Sequence, residues 1–207
     1  VMVVDNGRIE LKEQSDSMAF YAAGQAGRSV LDLPESTIAL YPDTFTQYSQ
    51  DFTFTPDFPT TARLFESLWA RTDGSRFDGV VSIDPVVLAH MLEVLGPVDL
   101  PSGEQITADN AVKLLLSDAY QRFGDAGDNG RSSDEFFAQV SSTVFSRLSA
   151  GQWNPIAMFD QLARAAQEQR INLWFTDEQA QALVTEVGLD GGLRADNNAS
   201  TQPSVET

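Results

Sequence analysis

The residues of this chain whose types and spacing could do chemistry are few. His90 is its single histidine, set in the apolar run Pro85 to Leu95. A catalytic base needs a nucleophile and an orienting partner. With no Gly-x-Ser-x-Gly elbow in the sequence, His90 reads as a half-buried structural residue. Asp57, in TPDFP, and Asp84, in SIDP, each stand just before a predicted helix. Aspartate is among the best N-caps. Asp84 also lies where an apolar strand would meet a helix, the place at which open α/β sheets hold ligands. Arg122 and Arg131 flank the acidic turn Asp125 to Gly130, and would face one anion if their helices fold back together; otherwise they are solvated partners of nearby aspartates. The turn itself, DAGDNG, misses a calcium loop at its third position, Gly127, and at its twelfth, Phe136. Asn198-Ala199-Ser200 is a glycosylation triplet of the kind that arises by chance.

Composition narrows the chemistry further. The 207 residues carry 13 Lys plus Arg against 30 Asp plus Glu, a net charge of −17, and no cysteine. Disulfides, thiolate metal sites and cysteine nucleophiles are excluded. A multi-histidine metal site is excluded as well. The acidic balance opposes general nucleic-acid binding, which needs a basic footprint on the phosphates. An anionic ligand would have to be held at a local arginine cluster against an unfavourable overall field. The phosphate-cradling glycine motifs of nucleotide enzymes do not occur.

The elements that must position these residues follow from local pattern. VMVV-DNG-RIEL predicts a hairpin turning at Asn6-Gly7. Ser36 to Tyr41 and Asp51 to Thr55 read as strands, and Thr60 opens a helix with Leu64, Phe65, Leu68 and Trp69 at helical spacing. Phe77 to Asp84 is the strongest candidate for a buried strand. Asp84-Pro85 then caps a helix to Leu95, and Val98 to Leu100 returns as a strand. Such a strand-helix-strand unit predicts a parallel or mixed sheet. Further helices are predicted from Thr107 to about Phe123, from the Ser132-x-x-Glu135 box with Phe136, Val140, Val144 and Leu148 in a stripe, and from Asn154-Pro155 with Ile156, Phe159, Ala163 and Ala166. A strand, Ile171 to Phe175, and a helix opened by Thr176-x-x-Gln179 and ended at Gly188 complete the series. Together these predict a three-layer α/β domain over residues 1–188, a mixed central sheet flanked by helices. Residues 189–207, rich in Gly, Asn, Ser and Asp, read as a flexible tail or linker. The start Val1-Met2-Val3-Val4, already inside a strand-like run, reads as the cut edge of a longer protein.

The segments TPDFPTTARLFESLW, FDGVVSIDPVVLAHMLEVLGPVDLPSG, ITADNAVKLLLSDAY and RINLWFTDEQAQALV with GLDG resemble, in that order, the bacterial domain-of-unknown-function family 4012. That resemblance implies an extracytoplasmic envelope protein, tethered to the cytoplasmic membrane by a helix outside this fragment. The order of strand, helix, LGPV, ITADNAVKLLLSDAYQRF, acidic turn, Arg131 and long helix is more distantly similar to the LytR-CpsA-Psr cell-envelope family. It implies a fold of that type and a polyprenyl-phosphate-linked glycopolymer or cell-wall component as partner. On that similarity Arg122 and Arg131 match diphosphate-binding positions. A phosphotransferase reading adds magnesium near Asp84 or Asp57. The second arginines of that family are replaced here, by Phe123 after Arg122 and by Ser133-Asp134 after Arg131. The resulting expectation is a glycopolymer- or lipid-carrier-binding envelope module, with a magnesium-dependent phosphotransferase and a structural spacer as alternatives.

Overall fold

A computed structural model describes residues 1–6, 8–15, 20, 27–72, 74–123 and 131–193. Strands β1 (Met2–Asp5) and β2 (Arg8–Leu11) form the expected hairpin, with Asp5 opposite Arg8 and Asn6 at φ 49°. Only a two-residue turn with positive φ closes that register. A short helix α1 (Glu35–Ile38) and a 3-10 helix (Ser49–Phe54) stand where strands are predicted. In the second, tight helical turns bury Phe52 beside Leu64 and Leu68 and leave Phe54 exposed, so the two phenylalanines do not share a face.

Helix α2 (Phe58–Thr72) follows, then β3 (Gly79–Ile83) and α3 (Pro85–Leu95). Two short strands, β4 (Val98–Asp99) and β5 (Gln105–Ile106), lead into helix α4, which runs through Ala111–Lys113, a π-helical turn Leu114–Asp118 and Ala119–Phe123. Thr107 and Asn110 prepare its start: the Thr107 amide donates to Asn110 Oδ1, and the Asn110 amide to Thr107 Oγ1. Helices α5 (Arg131–Ser149) and α6 (Pro155–Gln167), strand β6 (Ile171–Phe175) and helix α7 (Glu178–Glu186) complete the described chain. Asn154 caps α6 through the amides of Ile156 and Ala157. Asp177, one residue beyond the predicted Thr176, caps α7 through Ala180.

The architecture is mixed α/β, but it departs from the expected central sheet. Among the described residues the strands form three two-stranded antiparallel sheets, β1-β2, β3-β6 and β4-β5. The segment Val98 to Leu100 does not return beside β3; it turns back on itself to pair with Gln105–Ile106, which ends the expected strand-helix-strand unit. β3 pairs instead with β6, Ile83 opposite Ile171. It is not a buried strand: Val81 and Ile83 are 49% and 46% exposed. The principal core lies among helices, where Leu92 and Leu95 of α3 meet Leu114 and Ala119 of α4 and Phe136 and Val140 of α5.

The predicted linker also needs correction at its start. Leu189 O accepts from the Leu173 amide at 2.8 Å, Gly191 O from the Phe58 amide at 3.0 Å, and the Leu193 amide donates to Asp57 Oδ1 at 2.9 Å. Residues 189–193 are thus strapped across β6 and the start of α2. Gly191 sits at φ 58° against Asn172 and Phe58, a conformation and a closeness that only glycine tolerates. The acidic turn Asp125 to Gly130 and the Asn198 triplet lie outside the described residues, and of the stretch Ser17 to Leu31, whose pattern does not decide between helix and loop, only Phe20 and residues 27–31 are described.

Candidate functional site

The structure builds two features around the N-terminus of α3, an ion cluster and an apolar groove, and Asp84 belongs to both. Asp84 is the α3 N-cap. Its Oδ1 accepts from the amides of Val86 at 2.8 Å and Val87 at 3.0 Å, and its Oδ2 accepts from Arg170 Nη1 at 2.6 Å. Partial burial works against ionisation of this carboxyl, but the Val87, Arg170 and Val86 donors outweigh it and hold it below the usual carboxylate range.

Arg170 then faces Glu168, its Nε 3.3 Å from Oε2 without the alignment of a hydrogen bond. Glu168 binds His90 Nε2 at 3.0 Å through the same oxygen and accepts from Arg164 Nε at 3.1 Å through the other. Those bonds, the one with His90 first, hold Glu168 below its ordinary value. Glu93 completes the cluster, 3.8 Å from His90 Nδ1 and 3.7 Å from Arg164 Nη1. His90 is therefore a buried residue, 5% exposed, that joins α3 to the C-terminal end of α6. The sequence reading of a half-buried histidine is thus corrected to a buried one, and among the described residues its partners are Glu168 and Glu93.

The groove opens on the other side of Asp84. Its volume is 320 Å³, at the lower end of the range of ligand pockets. Leu88 and Met91 of α3 form one wall, and Leu116 and Tyr120 of α4 another. The third wall is α5, with Phe137, Ser141 and Phe145. Ile83, Asp84 and Pro85 line it as well, and Asp84 is the single charged residue of the lining. The π turn of α4 presents both Leu115 and Leu116 to this space, and π turns recur at functional sites.

Sequence inspection passes over this groove because each of its helices carries a second apolar stripe beside the one that fills the core. Leu116 and Tyr120 run parallel to Leu115 and Ala119; Phe137, Ser141 and Phe145 run parallel to Phe136, Val140 and Val144. An apolar face wider than one core contact requires is the signal that finds it.

The residues singled out from the sequence fall elsewhere, Asp84 excepted. Arg122 is exposed and bound to Glu104 Oε2 at 2.5 Å, and Arg131, the first residue of α5, is exposed. Although the end of α4 packs on α5 through Phe123 and Phe136, neither arginine lines the groove. Asp57 caps α2: Oδ2 accepts from the amide and hydroxyl of Thr60, and Oδ1 from Leu193. All four carboxylate oxygens of Asp57 and Asp84 thus accept bonds from the protein's own donors, and among the described residues no three His, Asp or Glu gather to hold a metal ion.

A helix-dominated α/β domain with an apolar cleft between three helices is the class that these features define. The family model "Protein of unknown function (DUF4012)" matches residues 1–120, and the chain belongs to that family. The match takes in Asp84, α3 and the groove wall of α4; α5 and the segment Ile171 to Phe175 lie beyond it. No curated protein and no solved structure matches the chain. Among the described residues no helix is long and apolar enough to cross a membrane.

Proposed function

We propose that this domain is a non-enzymatic binding module of the bacterial cell envelope whose groove takes the apolar chain of a lipid or lipid-linked glycopolymer. The observation that carries the reading is the groove itself, apolar on all three helical walls and holding one charged residue. Burying an isoprenoid chain there would gain about 25 cal/mol for each Å² of apolar surface removed from water. The extracytoplasmic location, a tether to the cytoplasmic membrane and a LytR-CpsA-Psr-type fold belong to the same proposal, and they rest on the order of sequence motifs. Phosphotransfer has less support, because Arg122 is engaged by Glu104 and the oxygens of Asp57 and Asp84 are engaged by protein donors.

Titration calorimetry with farnesol, a short soluble polyprenol, tests the reading. The native chain should bind it, and Ser141→Trp, which fills the groove from α5, should weaken binding at least tenfold while the urea midpoint confirms that the variant is folded. Absence of farnesol binding to the native chain, or equal binding by the folded variant, would overturn it.

A further inference from the structure

The groove carries information about the polar end of its ligand as well as about the chain. The N-terminus of a helix ordinarily attracts anions, because its first amides are unpaired and its dipole is positive there. At α3 that capacity is spent: the Val86 and Val87 amides both donate to Asp84 Oδ1. An arriving phosphate would meet a carboxylate in place of free amides. Arg170 offers no remedy, since its guanidinium lies between Asp84 and Glu168. The whole cluster sets three carboxylates, Asp84, Glu93 and Glu168, against two guanidiniums, Arg164 and Arg170, and the His90 imidazole.

Asp84 nevertheless retains something to offer. A carboxylate has about four lone-pair positions. Two backbone amides and Arg170 account for three of Asp84's, leaving one on Oδ2. The side chain lines the groove and is 39% exposed, so the polar end of an amphiphile bound to it would stay in reach of water. We propose that the groove selects apolar chains whose polar end donates a hydrogen bond and carries no negative charge, an alcohol or an ammonium, with Asp84 Oδ2 as the acceptor. This rests on the groove being a ligand site and specifies which amphiphiles it takes.

The test compares three probes that share one chain: farnesylamine, farnesol and farnesyl phosphate, titrated calorimetrically at low and at high salt. The native chain should bind the amine and the alcohol at least about tenfold more tightly than the phosphate at low salt, the gap between amine and phosphate narrowing as salt screens the carboxylate. In Asp84→Asn, where asparagine keeps the cap and removes the charge, that gap should shrink severalfold. Phosphate binding as tight as the amine or alcohol, or a preference unchanged in Asp84→Asn, overturns this inference and leaves the groove reading standing. Failure of all three probes to bind overturns the groove reading and this inference with it.

Discussion

Replacing Asp84 separates its roles. Asp84→Ala removes the acceptor for the Val86 and Val87 amides and the partner of Arg170. Loss of an aspartate N-cap costs about 0.5–2 kcal/mol. The ion pair is more than a third exposed on both partners, so solvent screening keeps its contribution well below that of the cap. The expected loss for Asp84→Ala is the cap's about 0.5–2 kcal/mol plus that smaller part, and for Asp84→Asn, which retains a capping oxygen, only the smaller part. In urea, with a slope of about 2 kcal/mol per molar, the alanine variant should lose on the order of 1 M in midpoint and the asparagine variant less than half that.

The pH dependence checks the charge separately. The folded Asp84 carboxyl titrates below its ordinary value of 3.8. A depressed value stabilises the fold above the unfolded-state value, and that contribution is lost as pH falls through the folded one. The stability difference between the native chain and Asp84→Asn should therefore hold from neutral pH down to about 4 and close in more acid solution. Equal midpoints for the alanine and asparagine variants would refute the capping argument. A difference that persists unchanged once the carboxyl is protonated in both the folded and the unfolded state would refute the electrostatic one.

Two further substitutions test the frame around the site. Gly191→Ala would put a Cβ 2.5 Å from Asn172 Oδ1 and 2.9 Å from Phe58 Cβ at a positive φ. Left-handed strain and overpacking together predict a loss of about 2–4 kcal/mol by urea denaturation, against about 1 kcal/mol for Gly188→Ala, whose surroundings are open. Arg122→Ala should leave both the urea midpoint and farnesol affinity where they are, because its exposed guanidinium pairs at the surface with half-buried Glu104, away from the groove; a drop in affinity would place this arginine at the ligand site.

What could be read from the sequence was local. The hairpin at Asn6, the cap at Asp84 before Pro85 and the cap at Asn154 before Pro155 each depend on a few adjacent residues, and each forms. The phase of α6 could not be read in the same way. Apolar residues lie on two of its faces, and contact with α3 and β6 buries Met158 and Ala165 while Ile156 and Phe159 remain 74% and 70% exposed. The ion cluster was out of reach for a different reason: Arg170 and Asp84 are 86 residues apart, and His90 and Glu168 are 78. Within the cluster, the pairs with a sequence signature are those close along the chain, Arg164-Glu168 four residues apart and His90-Glu93 three apart.

The antiparallel pairing of β3 removes the crevice that a parallel sheet would place beside Asp84. In a doubly wound sheet the junction after an apolar strand is a binding crevice because two parallel strands send their connections to opposite faces there. Asp84 occupies the corresponding junction, but β6 runs the other way beside β3, and no crevice of that kind arises. The β3-β6 pair instead supplies Arg170, one residue before β6, as a partner for Asp84. With its oxygens so engaged, Asp84 acts as the cap of α3 and as the single charged residue lining a space that the helices make for themselves. The same aspartate that topology would have made a metal or phosphate residue in a parallel sheet here lines an apolar cleft. The second apolar stripes of α4 and α5, Leu116 and Tyr120 beside Phe137 and Phe145, are what line that cleft.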